Sequence, residues 1–159
     1  MNLRVAVALL ALLGASVRLQ ASGERDAPPA CEAAPRAAVP AGWTRTTLHE
    51  TFSIALPPSC QPDAGARYVH GGTRWKCGTV MAEVVWGMWG TGSFADTAKK
   101  CTAKVEGLKV MVVREQRDKG AAVEVLYRTG EVHEPLVGAW SDRPEDVGAV
   151  EAVVFSGKR

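Results

Sequence analysis

No H-E-x-x-H or comparable metal signature occurs in this chain, and its three histidines, His49, His70 and His133, stand alone, without a second ligand at helical or hairpin spacing. No single segment therefore carries a conventional zinc site. G-x-S-x-G is missing too, which excludes the nucleophile elbow of the α/β-hydrolases; Thr91-Gly92-Ser93 reads as a loop and a helix cap. No stripe or cluster of Lys and Arg stands out and no acidic run is present, so the electrostatic footprint of a nucleic-acid binder is absent. Long apolar runs are scarce: Val5 to Leu13 is unbroken, but nine residues are too few to span a bilayer. There is no internal repeat, and no cofactor is expected.

What is present points first to export. Arg4 supplies a positive start, VAVALLALL follows, and small residues come next, so residues 1–21 read as a signal peptide cleaved after Ala21, with Ser16 as the alternative. Cys31 follows Ala-Pro-Pro-Ala, far from the apolar run and without a nearby Leu, which argues against a lipid-attachment cysteine. Loss of the leader removes Arg4 and Arg18 from 19 basic residues and leaves 17 against 17 acidic ones, a neutral mature chain. The expected location is periplasmic or extracellular, with no membrane span once the signal is gone. In that oxidising setting the four cysteines, Cys31, Cys60, Cys77 and Cys101, favour disulfides, for which three pairings exist.

The mature chain divides into an Ala/Pro-rich tether over residues 22–41, extended and without apolar periodicity, and one domain over residues 42–157. Its expected centre is the strand Thr79 to Trp89, in which Val80, Ala82, Val84, Trp86 and Met88 share one face while Met81, Val85 and Trp89 make the other largely apolar. Such a strand needs cover on both sides. Trp43–Leu48 and Phe52–Leu56 read as a hairpin that ends at Pro57-Pro58, and Arg67–Val69 as a short strand after a loop. Ser93 opens an expected helix, with Phe94, Ala98, Cys101 and Val105 as its buried stripe and Gly107 as its stop. Leu108–Arg117 and Ala121–Arg128 flank Asp118-Lys119-Gly120 as a second hairpin; Glu134–Trp140 follows as a strand, and Asp142 with Glu145 announces a last helix through Val147, Val150 and Val154. The fold class expected is α+β: a mainly antiparallel sheet of about six strands with helices packed against it.

The stretches ETFSIALPPSC, VVWGMWG and VEGLKVMVV, with a glycine-marked turn between the first two and a closing strand plus short helix, resemble small exported bacterial proteins of unknown function. Those look like members of the PsbP-like fold group, named for a photosystem II extrinsic subunit and also containing a nuclear-transport factor that binds a small GTPase. The resemblance runs from Gly42 to Gly157. It implies a scaffold that binds other proteins, and it transfers no site residue.

Candidate sites are therefore weighed on their own chemistry. Glu83 lies mid-strand among apolar neighbours, where desolvation would favour a protonated carboxyl; the plainer reading pairs it with an Arg or Lys of a neighbouring strand. Cys60, His70 and Cys77 would make a zinc or Cys/His site if they met in space, against the plainer reading of a disulfide and a surface histidine. Cys60 and Cys77 stand at strand ends joined by a short loop and rank first as a disulfide, which leaves Cys101 for Cys31; Cys77 with Cys101 ranks second. Five tryptophans against two tyrosines and three phenylalanines suggest a ligand surface, for which Trp75, Trp89 and Trp140, near strand ends, are the candidates. Trp86 belongs to the core and Trp43 to the domain entrance. Two functions remain: a non-catalytic exported module that binds a protein or a cell-envelope component, and a small hydrolase or metal-dependent enzyme using Glu83, His70 or the cysteines.

Overall fold

Period-two alternation governs most of the chain. The computed structural model describes residues 27–33, 38–48, 51–68, 71–87, 98–115 and 117–159. Strands β1 (Thr44–Leu48) and β2 (Phe52–Leu56) form the expected hairpin, with Leu48 opposite Phe52. After Pro57-Pro58 come β3 (Cys60–Pro62), β4 (Gly72–Cys77) and β5 (Val80–Trp86), and then β6 (Lys99–Val105), β7 (Leu108–Glu115), β8 (Ala121–Arg128) and β9 (Pro135–Ser141). A 3-10 turn at Pro144–Asp146 leads into the helix α1 (Val147–Val154).

Strands β3 to β9 make one sheet in the order β3-β4-β5-β9-β8-β7-β6, antiparallel throughout. Two meanders build it. The first, β3-β4-β5, grows from one edge toward the middle, and the second starts at the far edge with β6 and returns through β7 and β8 to β9. Strand β9 then closes the sheet by pairing with both β5 and β8.

This architecture corrects the α+β expectation, because the described residues are mostly sheet and contain one short helix. The largest change falls on the helix expected from Ser93. Residues 99–105 are a strand, while Ser93 and Phe94 lie outside the described residues. Ala98, Cys101 and Val105 fit a helical stripe, but Cys101, Ala103 and Val105 fit period two equally well, and Glu106-Gly107 decides between them. Both take positive φ, 49° and 80°, as the two central residues of a type I′ hairpin turn require, so Val105 faces Leu108 and the chain turns back instead of ending a helix. The middle of the sheet is also not where it was expected. Strand β5 is third from an edge, and the central position belongs to β9, whose Pro135 is its first residue, where a missing N–H is tolerated. The short strand before β4 is Cys60–Pro62 rather than Arg67–Val69; Arg67 and Tyr68 are not in a strand, and Val69 lies outside the described residues.

The inner face of the sheet carries the core. Trp75, Val84, Val112, Val125, Tyr127 and Val137 lie against Phe52, Ile54 and Leu56 of β2 and against Val150, Val153 and Val154 of α1. Each fully buried large apolar side chain contributes about 1.5–3 kcal/mol relative to exposure. An eight-residue helix rich in valine would not persist alone, so α1 exists because this face binds it. Tyr127 pins it: the Phe52 ring lies 5.1 Å away, the phenol O–H donates to the Val154 carbonyl at 2.5 Å, and the Gly157 N–H donates back at 3.0 Å. The Asp142/Glu145 capping pattern is not used, since no side chain caps α1. Asp146 acts differently, accepting 2.6 Å hydrogen bonds from the Ser141 and Thr79 hydroxyls and so tying the helix start to the end of β9 and to the β4–β5 turn. Those two bonds hold its carboxyl below the usual range.

Candidate binding surface

The outer face of the sheet carries the polar chemistry. Cys77 and Val80 bracket a two-residue turn, so Arg74 on β4 falls directly opposite Glu83 on β5, and Glu83 in turn lies opposite Gly138 on β9. Gly138 faces Glu124 on β8. A side chain at 138 would stand 3.3 Å from the Glu83 Cγ and 3.6 Å from the Glu124 Cγ, so the glycine leaves the space over which both carboxylate side chains lean.

Arg74 is fixed from several directions. Its Nε and Nη2 donate to the Glu83 Oε2 at 3.2 and 2.9 Å, and its guanidinium carbon lies 5.4 Å from the Trp140 ring centroid and 5.8 Å from that of Tyr68. Tyr68 also donates to the Glu83 Oε2, at 2.6 Å. A charged donor pair and stacked rings make a stiff assembly. Burial, followed by the hydrogen bond to Glu83 and its charge, pushes the Tyr68 phenol up to about 12. The hydrogen bond to Glu83 raises the Arg74 guanidinium further above its already high value. Beside this assembly opens a pocket of about 240 Å³, bordered by Arg74, Glu83, Glu115, Arg117, Glu124 and Trp140. Arg117 is itself held by Glu115 at 2.8 Å. The pocket thus presents opposite charges in a set order beside an indole, a surface suited to hydrogen bonding and stacking.

The other sequence candidates distribute as follows. Trp140 is half-buried at this rim. Trp75 corrects the idea that a tryptophan near a strand end is exposed: it sits opposite Ala82, points inward and is 6% exposed. Trp86 packs edge-on against Phe52 at 6.0 Å, and Trp43 packs partly buried against the core. His133 is exposed. Trp89, His49 and His70 lie outside the described residues, as do residues 1–21. Arg74, Tyr68 and Arg117 were not singled out from the sequence, although Arg74 and Glu83 stand equally far from the Gly78-Thr79 turn and their pairing follows once that turn is recognised.

The cysteines close as Cys60 with Cys77, across β3 and β4, and Cys31 with Cys101. A Cys77–Cys101 bridge is geometrically out of reach, because β4 and β6 lie near opposite edges of the sheet. The second disulfide lays residues 29–31 along the edge of β6, where the Thr102 N–H donates to the Pro29 carbonyl at 2.8 Å and the Cys31 N–H to the Thr102 carbonyl at 2.9 Å. While oxidised, no cysteine offers a thiolate. Among the described residues no group of three His, Cys, Asp or Glu side chains is placed to hold a metal ion, and no helix is long and apolar enough to cross a membrane. Two disulfides fit an extracellular or otherwise oxidising compartment. No protein-family model matches the chain, and no curated protein matches it.

Proposed function

We propose that this protein is an exported, non-catalytic binding module, periplasmic or secreted after loss of its leader, which holds a protein or cell-envelope component on the outer face of its sheet. The observation that carries this reading is the Arg74 guanidinium, set between the Tyr68 and Trp140 rings and tied to Glu83 at the mouth of the mixed-charge pocket. Such an assembly is ordered before any ligand arrives, so little side-chain freedom remains to be lost on binding. Glu83 spends its Oε2 on three donor atoms of two neighbours, the arrangement of a positioning carboxylate rather than of a free general base.

The test is affinity capture from the native envelope with disulfide-bonded wild type, Trp140→Ala and Arg117→Ala proteins. The reading expects one partner protein or lipid-free envelope component, retained by wild type and lost with Trp140→Ala, while circular dichroism shows both variants folded. Equal retention by all three proteins refutes the pocket as the binding site. Hydrolytic turnover that disappears in a folded Glu83→Gln variant would replace the binding reading with an enzymatic one.

A further inference from the structure

On the outer face, away from the Arg74 pocket, the register sets like charges against one another. Glu106-Gly107 turns the chain so that Lys104 on β6 lies directly opposite Lys109 on β7, and Lys109 lies directly opposite Arg128 on β8. Cations facing each other across strands, with Cβ atoms about 4.5–5.5 Å apart, destabilise a sheet. Arg128 has the Glu134 carboxylate at 2.5 Å, whereas neither Lys104 nor Lys109 makes an ion pair within 4 Å among the described residues. All three cations are exposed.

The row does not lie on a flat surface. It borders a pocket of about 550 Å³ whose wall includes Pro28, Met111 and Thr102. Pro28 is brought there by the Cys31–Cys101 bridge and by the bonds of residues 29–31 to Thr102. The concavity therefore combines three cations on its rim with apolar surface from the docked segment and from β7.

We infer that the Lys104–Lys109–Arg128 row and the apolar pocket beside it form a second binding surface, whose ligand is an anionic phospholipid of a membrane surface. Charge complementarity selects an oxyanion head group, which relieves the repulsion along the row, and the Met111 and Pro28 wall selects a ligand with an apolar part next to that head. A soluble acidic polymer would use the cations and leave the apolar wall in water. This surface does not depend on the Arg74 pocket, and either can fail without the other.

Vesicle flotation tests it, with the disulfide-bonded protein and vesicles of phosphatidylcholine alone or mixed with phosphatidylglycerol. Binding is expected to the mixed vesicles only, and Lys104→Gln with Lys109→Gln should weaken it roughly thirtyfold, two cations being removed near an anionic surface. The control is Lys99→Gln with Lys100→Gln, the same change of net charge on β6 outside the row, for which binding should stay within about threefold of wild type on the same scale. Glycerol phosphate, which has the head group without the chains, should leave vesicle binding intact. Absence of binding to the mixed vesicles, equal losses in the two double variants, or displacement by glycerol phosphate each overturns the inference. So does retention on an anionic polysaccharide with no binding to vesicles. Thermal melting of Lys99→Gln with Lys100→Gln at the wild-type temperature, and of Lys104→Gln with Lys109→Gln at or above it, ensures that lost binding is not lost fold.

Discussion

The two ends of the outer face obey the same pairing rule with opposite results. On β4 and β5 the register sets Arg74 against Glu83, and Tyr68 and Trp140 enclose the pair, so charge there is consumed within the protein. On β6, β7 and β8 it sets Lys104 against Lys109 and Lys109 against Arg128, and although Glu134 pairs with Arg128, the charge of the two lysines is left over among the described residues. A satisfied pair contributes to order, whereas a repelling row costs stability. The difference separates a pre-formed pocket from an electrostatically unfinished surface on one sheet.

The disulfides give the largest way to disturb this contrast, because each belongs to one end. Chain-entropy arguments assign about 4 kcal/mol to Cys31–Cys101, which spans 70 residues, and about 3 kcal/mol to Cys60–Cys77, which spans 17. Denaturant unfolding of the two Cys→Ser pairs should show that order, and only loss of Cys31–Cys101 should also weaken vesicle binding, since it releases Pro28 from the second pocket. Equal vesicle binding in both pairs would detach the docked segment from that surface.

Substituting one charge at each end should give effects of opposite sign. Glu83→Ala strands the Arg74 guanidinium between two rings and should destabilise by about 2 kcal/mol, the loss of a charged, partly buried hydrogen-bond set. Lys109→Glu places an acid between Lys104 and Arg128 and should stabilise by about 0.5 kcal/mol while abolishing the vesicle interaction. Urea midpoints measure both changes. A destabilising Lys109→Glu would mean that the row is not under repulsive strain.

The smallest effect concerns pH. The phenol of Tyr68 is raised in the folded state from 10.0 to about 12, so its contribution to stability is complete below pH 10 and is lost as pH rises through 12. Tyr127, buried against α1, is raised as well, with burial as the main cause. Both tyrosines of the chain should therefore stay un-ionised past pH 10, and phenolate absorbance should grow only beyond it. In Tyr68→Phe the earlier part of that rise should vanish. An absorbance rise centred near pH 10 in the folded protein would show that the phenol is not desolvated beside Glu83.

Local patterns explain much of the sheet but leave the site residues scattered. Phe52, Ile54 and Leu56 alternate with more polar neighbours and can do little except form one wall of a core, and Asp118-Lys119-Gly120 connects two valine-rich strands with Gly120 at φ 76°. The hairpins β1–β2 and β7–β8 follow from such signals. Residues 98–105 read as part of a helix, and the reading fails for a physical reason: their apolar positions satisfy both periods, and a strand has no hydrogen bonds of its own until a neighbour supplies them. Strand β7 supplies them here. The site suffers from the same dependence on partners, because Glu83 is informative in sequence only as an acid among apolar residues, while its role is set by Arg74 nine positions earlier and by Gly138 and Trp140 more than fifty positions later.

By itself the sequence determined the alternating faces, the hairpin turn at Gly120 that tolerates positive φ, and the supply of four cysteines, since each of these is a property of neighbouring residues. Tertiary structure alone decided that β9 rather than β5 stands at the centre, that Trp75 is core and Trp140 rim, and that lysines spread over separate segments line up with Arg128 into one cationic row. The reason is strand order. Which strands become neighbours depends on long-range pairing between β5 and β9, and only that pairing determines which side chains, distant in sequence, share one end of one face.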